Sequence, residues 1–355
     1  MSYVGRLPCA TRPKPDELLS SWLTRLAHDH LLKTHTFGRM LFPGAHVWNT
    51  DLDRSASESM LSILAERTNT PLPRVEQTVL RRYEGRLHPR TSVSSIAHWL
   101  LPLGIYHRTR RYNGLLFCPS CLRKDGATPY FRTHWRLALT YICTECGVYM
   151  QERCPECEHP VTFFRVELGQ KSALAYKPIS HCFYCSLDLS IVSAKPATTS
   201  ALYDQIELER ILCEGWNERV FYPHLYFTVL RQLVKQLVNA RPASIMLQRA
   251  VDAETGWSPV EEDISMRKNK MPVELLPLRV RGGVIRQAQW LLTDWPHRFI
   301  EVTRRYGVTS TPFLYAMSEI PFWYHSVVME NLYVNNGKGT IDYFLRRGKN
   351  IACKG

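Results

Sequence analysis

No run in this 355-residue chain is apolar for long enough to span a bilayer. The longest candidate, around Ile96 to Tyr106, is interrupted by His98 and Pro102. The opening MSYVGRLPCATRPKP holds no apolar segment of signal-peptide length, so a soluble, intracellular protein is expected. Motifs for nucleotide and group-transfer chemistry are scarce too. Asn335-Asn336-Gly337-Lys338-Gly339-Thr340 only faintly resembles a phosphate loop: the glycine five residues before Gly337 is missing, and Lys338 is not followed by Ser or Thr. No His-x-Glu lies upstream of the cysteine pairs, as a zinc deaminase would require. The acids are too scattered to assign a recombinase's metal-binding triad, and no βαβ pattern frames a thioredoxin-like redox pair. These gaps argue against an enzyme.

Positive charge and cysteine are what the chain has in excess. With 45 Lys+Arg against 32 Asp+Glu, the formal charge is +13, which points to an anionic partner, most simply nucleic acid. The charge lies on the flanks. Residues 1–117 carry 16 basic against 9 acidic side chains and residues 189–355 carry 21 against 16, while 118–188 carry 8 against 7.

That near-neutral segment holds eight of the eleven cysteines, as Cys118/Cys121, Cys143/Cys146, Cys154/Cys157 and Cys182/Cys185. In a reducing compartment such pairs read as metal ligands. Two thiolates from one tight turn reach a metal at about 2.3 Å, and two turns close a tetrahedron, so four pairs imply two Zn²⁺ per chain. Sequential pairing gives Cys118, Cys121, Cys143 and Cys146 to the first zinc and Cys154, Cys157, Cys182 and Cys185 to the second. The enclosed loops, 122–142 and 158–181, suit ribbons; a cross-braced pairing is the alternative. Each site would add about 10–16 kcal/mol of apparent folding energy. Closed four-cysteine sites leave no open metal position, so their role is structural, and filled sites turn the segment net negative. Cys9, Cys213 and Cys353 fit no pair and read as ordinary buried or terminal residues.

The flanks are helical in pattern. Leu18, Leu19, Trp22, Leu23, Leu26 and Ala27 predict an amphipathic helix over about 16–32, with Asp16 and Glu17 in its first turn, Trp22 as a core anchor, and Arg25 and Lys33 off the apolar face. Helices over 57–67 and 73–83, joined by Thr68 to Leu72, outline a helix-turn-helix in which Arg74, Arg81 and Arg82 face phosphate; a protein-binding or purely structural corner looks the same. A helix over 94–101 leads to a basic run containing Arg108, Arg110 and Arg111, which suits nucleic acid or a solvated linker. Val161, Phe163 and Val166 predict a hairpin in the second ribbon. Helical periodicity resumes over 201–240, split at Pro223, then over 284–293 and from Asp294 to Gly307. Arg267, Lys268 and Lys270, and then Arg279, Arg281 and Arg286, form basic clusters that suit nucleic-acid backbone or a solvated face. The expected fold is mainly α: a helix-turn-helix-like helical domain over 1–113, tandem small β zinc ribbons over 114–190 and a C-terminal helical domain over 191–355.

Pro15-Asp16-Glu17-Leu18-Leu19-Ser20-Ser21-Trp22-Leu23-Thr24-Arg25-Leu26-Ala27 resembles the opening signature of TniQ/TnsD transposon target-selection proteins. Cys118-Pro119-Ser120-Cys121-Leu122-Arg123-Lys124-Asp125, followed by Tyr130, Arg132, Trp135, Cys143 and Cys154-Pro155-Glu156-Cys157, is similar to that family's zinc region. The two signatures cover roughly residues 8–190. Where the family often has His, this chain has Cys146, which keeps a four-ligand site. The resemblance implies a non-catalytic adaptor in DNA transposition, cytoplasmic, bacterial and nucleoid-associated when active, without a membrane role. It would link target recognition, by an RNA-guided Cascade-type complex, to an AAA+ ATPase regulator of the TnsC/TniB kind, and would act as a homodimer as in similar CRISPR-associated systems. The alternative is a TnsD-like protein that reads an attachment site on target DNA directly.

Overall fold

A computed structural model describes residues 5–88, 97–106, 109–166, 177–216, 220, 222–259, 271–314, 317 and 319–332. The fold is mainly α. The front half holds α1 (Leu19–Asp29), α2 (Thr34–Leu41), α3 (Leu52–Ser55), α4 (Glu58–Thr68) and α5 (Leu72–Glu76). After the small pairs β1 (Ile105–Tyr106) with β2 (Thr109–Arg110), and β3 (Ile142–Cys143) with β4 (Val148–Tyr149), both antiparallel, the chain returns to helices. A short α6 (Pro119–Lys124), which carries Cys121, lies between those two strand pairs in the chain. The second half holds α7 (Thr199–Glu214), α8 (Pro223–Leu237), α9 (Pro242–Thr255), α10 (Leu278–Leu292), α11 (His297–Arg305), α12 (Thr311–Leu314) and α13 (Phe322–Leu332).

Local chemistry explains most boundaries. Ser57 caps α4 by accepting from Met60 N–H, and Asn69 ends it in the left-handed conformation (φ 51°). Thr198 caps α7, and Pro223 and Pro242 occupy first positions of α8 and α9, where a missing N–H costs nothing. The periodicity of α9 was not singled out in the sequence, although Pro242 and Gly256 bracket it and Leu247, Ala250 and Val251 are buried.

Helix α1 begins three residues later than the pattern predicts. Its free N–H groups find tertiary partners instead: Leu18 donates to the Phe131 carbonyl (2.8 Å), Leu19 to the Thr78 carbonyl (2.9 Å) and Ser20 to the Asp53 carboxylate (2.8 Å). Trp22 is fully buried, as expected of an anchor. Arg25 is buried as well, not displayed: Glu17 pairs with it at 2.8 Å.

The continuous helix expected over 73–83 is a correction. Chain α5 stops at Glu76, Val79 is extended, and a 3-10 turn covers Leu80–Tyr83. The break turns the Thr78 carbonyl toward the start of α1, so a tertiary bond replaces an intrahelical one. The helix expected over 94–101 fails over its described part, 97–101. Leu100 bridges Leu137, Leu101 N–H donates to the Arg136 carbonyl, and Ala138 N–H donates to Trp99. Ala97–Leu100 is a turn, with Trp99 left-handed (φ 65°) and Leu100 N–H donating to the Ala97 carbonyl, and it lies against the cysteine-rich segment. The hairpin expected from Val161, Phe163 and Val166 is likewise absent from the described residues: Phe163–Arg165 is a 3-10 turn whose rings stack on Phe131 and Trp48.

Buried residues from Leu18 to Leu332 form one continuous core. The cysteine-rich segment is inside it. Tyr141 N–H donates to Gln205 of α7, Arg281 of α10 donates to the Ala138 carbonyl (2.8 Å), and the Trp99 indole donates to the Phe227 carbonyl of α8 (2.9 Å). No helix among the described residues is long and apolar enough to cross a membrane.

Candidate metal centres

Four cysteines converge at each of two places, in the sequential pairing. Cys118, Cys121, Cys143 and Cys146 have all four sulfurs within 4.8 Å of one another, and so do Cys154, Cys157, Cys182 and Cys185. Sulfur–sulfur distances of 3.5 Å for Cys121–Cys143 and Cys121–Cys146, and 3.5 and 3.6 Å for Cys154–Cys185 and Cys157–Cys182, lie near the edge of about 3.8 Å that a tetrahedron with bonds of about 2.3 Å requires.

The backbone is shaped for the same purpose. Gly147, Glu158 and Ser186 each follow the second cysteine of a pair in the left-handed conformation, with φ of 63°, 60° and 66°. Each donates its N–H to the carbonyl of the pair's first cysteine, at 2.8, 2.9 and 3.0 Å. A glycine is suited to that conformation; Glu158 and Ser186 adopt it at a cost in strain that a metal bound by the adjoining cysteines would offset. The first pair is built differently. Pro119 opens α6, and Cys118 Sγ caps it, accepting from Cys121 N–H at 3.4 Å. In the second centre, backbone N–H groups of Glu156, Cys157, His159, Tyr184, Cys185 and Leu187 point at the sulfurs. Such donors stabilise thiolate over thiol.

Sulfurs this close compete for protons. The contact with Cys121 pulls the Cys118 thiol down to about 4, and the same contact pushes Cys121 far up. One sulfur takes the charge and its neighbour must keep a proton. A divalent metal removes the conflict by displacing the protons. The donor set, all sulfur and four-fold, fits a closed structural Zn²⁺ site.

The two centres sit differently in the fold. Cys118, Cys121 and Cys143 are buried in the core, and the Cys143–Cys146 turn is tied to α7 by Thr144 donating to Glu209 (2.9 Å). In the second centre Cys157 and Cys185 reach the surface, and Tyr184 beside them is exposed and stacked on His159 at 3.8 Å. Cys9 and Cys213 are exposed and belong to neither cluster; Cys353 lies outside the described residues.

Residues of the two separated signatures touch. Ser21 donates to Glu17 and accepts from Phe131 N–H, so the opening helix is bonded to the segment between the first cysteine pairs. Arg132 pairs with Asp125 at 2.9 Å, its guanidinium 4.1 Å from the Tyr130 ring centre and 4.7 Å from Trp135. Burial opposes its charge, but the Asp125 carboxylate more than compensates and its pKa rises. Sequence reading missed Asp51 and Asp53, which clasp the fully buried Arg136 at 2.6 and 3.1 Å. Nothing in their spacing signals it, because the partners are more than eighty residues apart.

The expected phosphate contacts are placed otherwise. Arg74 donates to the Pro13 carbonyl (2.7 Å), Arg81 to the Ala56 carbonyl (2.8 Å), and Arg82 pairs with Asp16 (2.7 Å). Arg110 is a correction: its guanidinium is buried over Phe163 and Phe164, donates to the Val161 carbonyl, and is pushed down to about 10 by burial. Arg111 remains exposed. Arg279 is exposed, but Arg281 is 1% exposed inside the core and Arg286 pairs with Asp204 (2.7 Å), so the three do not form one solvated basic face. Arg108, Arg267, Lys268 and Lys270 lie outside the described residues.

No curated protein sequence matches the chain. A family match covers the stretch from just before α1 through the first cysteine cluster: residues 8–149 match the model of the TniQ family.

Proposed function

We propose that this protein is a non-catalytic adaptor in DNA transposition. It holds a target-recognition component, an RNA-guided Cascade-type complex, and presents it to the AAA+ ATPase regulator. The TniQ match over residues 8–149 supports a transposition-associated role in target selection. One observation favours the adaptor over the direct DNA reader: Arg74, Arg81, Arg82 and Arg110 are engaged with carbonyls and carboxylates of their own chain. A direct reader needs such side chains free for phosphates and base edges.

In this reading the two Zn²⁺, held by Cys118, Cys121, Cys143, Cys146 and by Cys154, Cys157, Cys182, Cys185, act only as staples. They lock the parts on either side of the cysteine-rich segment in one geometry, so that two partners can be gripped at a set separation. The test is reconstitution. Zinc-loaded protein mixed with the regulator and the guided complex of the same transposon should co-elute with both. Its own binding to duplex DNA should be weak, and should fall steeply with salt. Sequence-specific attachment-site binding that survives moderate salt, with no association to the ATPase, would install the direct reader instead.

A further inference from the structure

Residues 5–14 form neither helix nor strand; they run as an arm across α1, α4 and α5. Side chains of those helices hold its backbone. Arg67 of α4 donates to the Gly5 carbonyl (2.6 Å), Trp22 and Arg25 of α1 to the carbonyls of Thr11 (2.7 Å) and Arg12 (3.3 Å), and Arg74 of α5 to that of Pro13 (2.7 Å). The Leu7 N–H donates back to the Arg67 carbonyl at 2.8 Å. Arginines of the helices are thus engaged by the arm, and the arm displays two of its own. Arg6 and Arg12 are exposed, and neither guanidinium has a hydrogen bond or ion pair among the described residues.

Both side chains line one open notch of about 700 Å³ beside the turn that joins α4 to α5, together with Asn69 and Thr70 of that turn. Among the described residues its only apolar side chains are Ala65 and Pro71, so it has no seat for a large apolar group. Glu66 is its one acid among them. The notch therefore offers two permanent cations and the exposed Asn69 amide against one carboxylate. The backbone that carries the cations is already fixed, so an anion held there gains charge-assisted hydrogen bonds at little cost in ordering the chain.

We propose that Arg6 and Arg12 contact backbone phosphates of duplex DNA, in the place that the sequence pattern gives to Arg74, Arg81 and Arg82. A guanidinium presents paired N–H donors to phosphate oxygens, and arms that flank DNA-facing helices commonly reach the duplex with arginine. The net charge of +13 favours the same polyanion. An acidic peptide would meet the same cations, but without an apolar seat only charge would hold it. Glu66 opposes any anion in the notch, so its removal should help binding. The inference rests on the arm and not on the adaptor reading, because a direct reader also positions itself by phosphate contacts.

The test is fluorescence anisotropy of a labelled random-sequence duplex with the zinc-loaded full chain, over about 50–200 mM salt. Arg6→Gln and Arg12→Gln should each lower the slope of log K against log salt by about one unit, and weaken binding about threefold to tenfold at the lowest salt. Arg249→Gln, which removes an exposed arginine of α9 and changes the net charge equally, should leave the slope unchanged. Glu66→Gln should tighten binding about twofold. All four side chains are exposed, so the variants should match the parent in zinc content and circular dichroism. Absence of duplex binding, an unchanged slope in the Arg6→Gln Arg12→Gln double variant, an equal effect of Arg249→Gln, or weaker binding by Glu66→Gln would each overturn the proposal. So would a decaglutamate peptide that displaces the duplex at equal charge, which would make the notch a seat for an acidic protein. Arm variants with lowered slopes in a chain that assembles with no transposition ATPase would leave the proposal standing and sink the adaptor reading.

Discussion

Gly282 of α10 lies against Tyr141, one residue before strand β3: a Cβ added to the glycine would come within 2.9 Å of the tyrosine's Cβ. The contact joins the C-terminal helices to the first cysteine ribbon at backbone distance. It has company on the same helix, because Arg281 donates to Ala138 from the next position. The helix can approach so closely only because the residue facing the tyrosine has no side chain.

Gly282→Ala should therefore destabilise the protein by about 1–3 kcal/mol, the usual cost of overpacking a tight core, despite the better helix propensity of alanine. Denaturant midpoints of the two proteins would measure it. A neutral or stabilising alanine would mean that α10 moves freely over the ribbon.

Metal analysis should give two zinc per chain, with both released by strong chelators at the expense of folding. The two centres differ in depth, so single ligand losses should differ too. Cys118→Ser removes a sulfur from the core and should unfold the whole chain. Cys185→Ser, at the surface, should halve the zinc content and melt the region around Tyr184 while α1 and α8 stay folded. Zinc content measured alongside circular dichroism distinguishes the two, and equal damage from both would contradict the difference in burial.

Arg110→Met should leave DNA binding unchanged. The guanidinium is enclosed between Phe163, Phe164 and the Val161 carbonyl, where methionine fills much of the same volume without a charge to desolvate. Affinity for duplex DNA at low salt is the measurement. A drop in the salt slope by about one unit would show that the arginine does reach phosphate.

Glu274 predicts an acid limb in stability. Burial opposes its charge, but the Arg231 guanidinium, at 2.7 Å, and the Trp99 N–H hold its carboxyl below the ordinary value of 4.5. A carboxyl depressed in the folded state stabilises the fold above its unfolded pKa, and this contribution is lost as pH falls from about 4.5 through the lower folded value. Glu274→Gln should cost about 2–4 kcal/mol at pH 7, less than a fully buried pair because Arg231 is partly exposed. The difference between the two proteins should shrink on acidification. Chemical denaturation at matched zinc content would follow it, and a difference that stayed constant with pH would place the effect elsewhere.

Amino-acid order alone marked the eight candidate ligands, and the fold chose sequential over cross-braced pairing. A Cys-x-x-Cys pair is a local device whose reach is set by one turn of backbone, so its ligand geometry is written in four residues. The helices with local punctuation were legible for the same reason: Ser57 and Asn69 bracket α4, and Thr198 starts α7. Only tertiary structure decided the rest. The helix over 73–83 is broken because the Thr78 carbonyl serves α1, and 97–101 turns at Trp99 instead of forming a helix because Leu100 and Leu101 pair with Leu137 and Arg136. Arg25, Arg110 and Arg281 read as solvent-facing charges, yet Arg25 and Arg281 are buried and the Arg110 guanidinium is enclosed, while the fully buried Arg136 gave no signal at all. Their partners, Glu17, Val161, Asp51 with Asp53, and Ala138, are fixed by folding of segments far apart in the chain. A guanidinium carries the same charge in any sequence; whether it meets solvent or a carbonyl is settled only when the core closes around it.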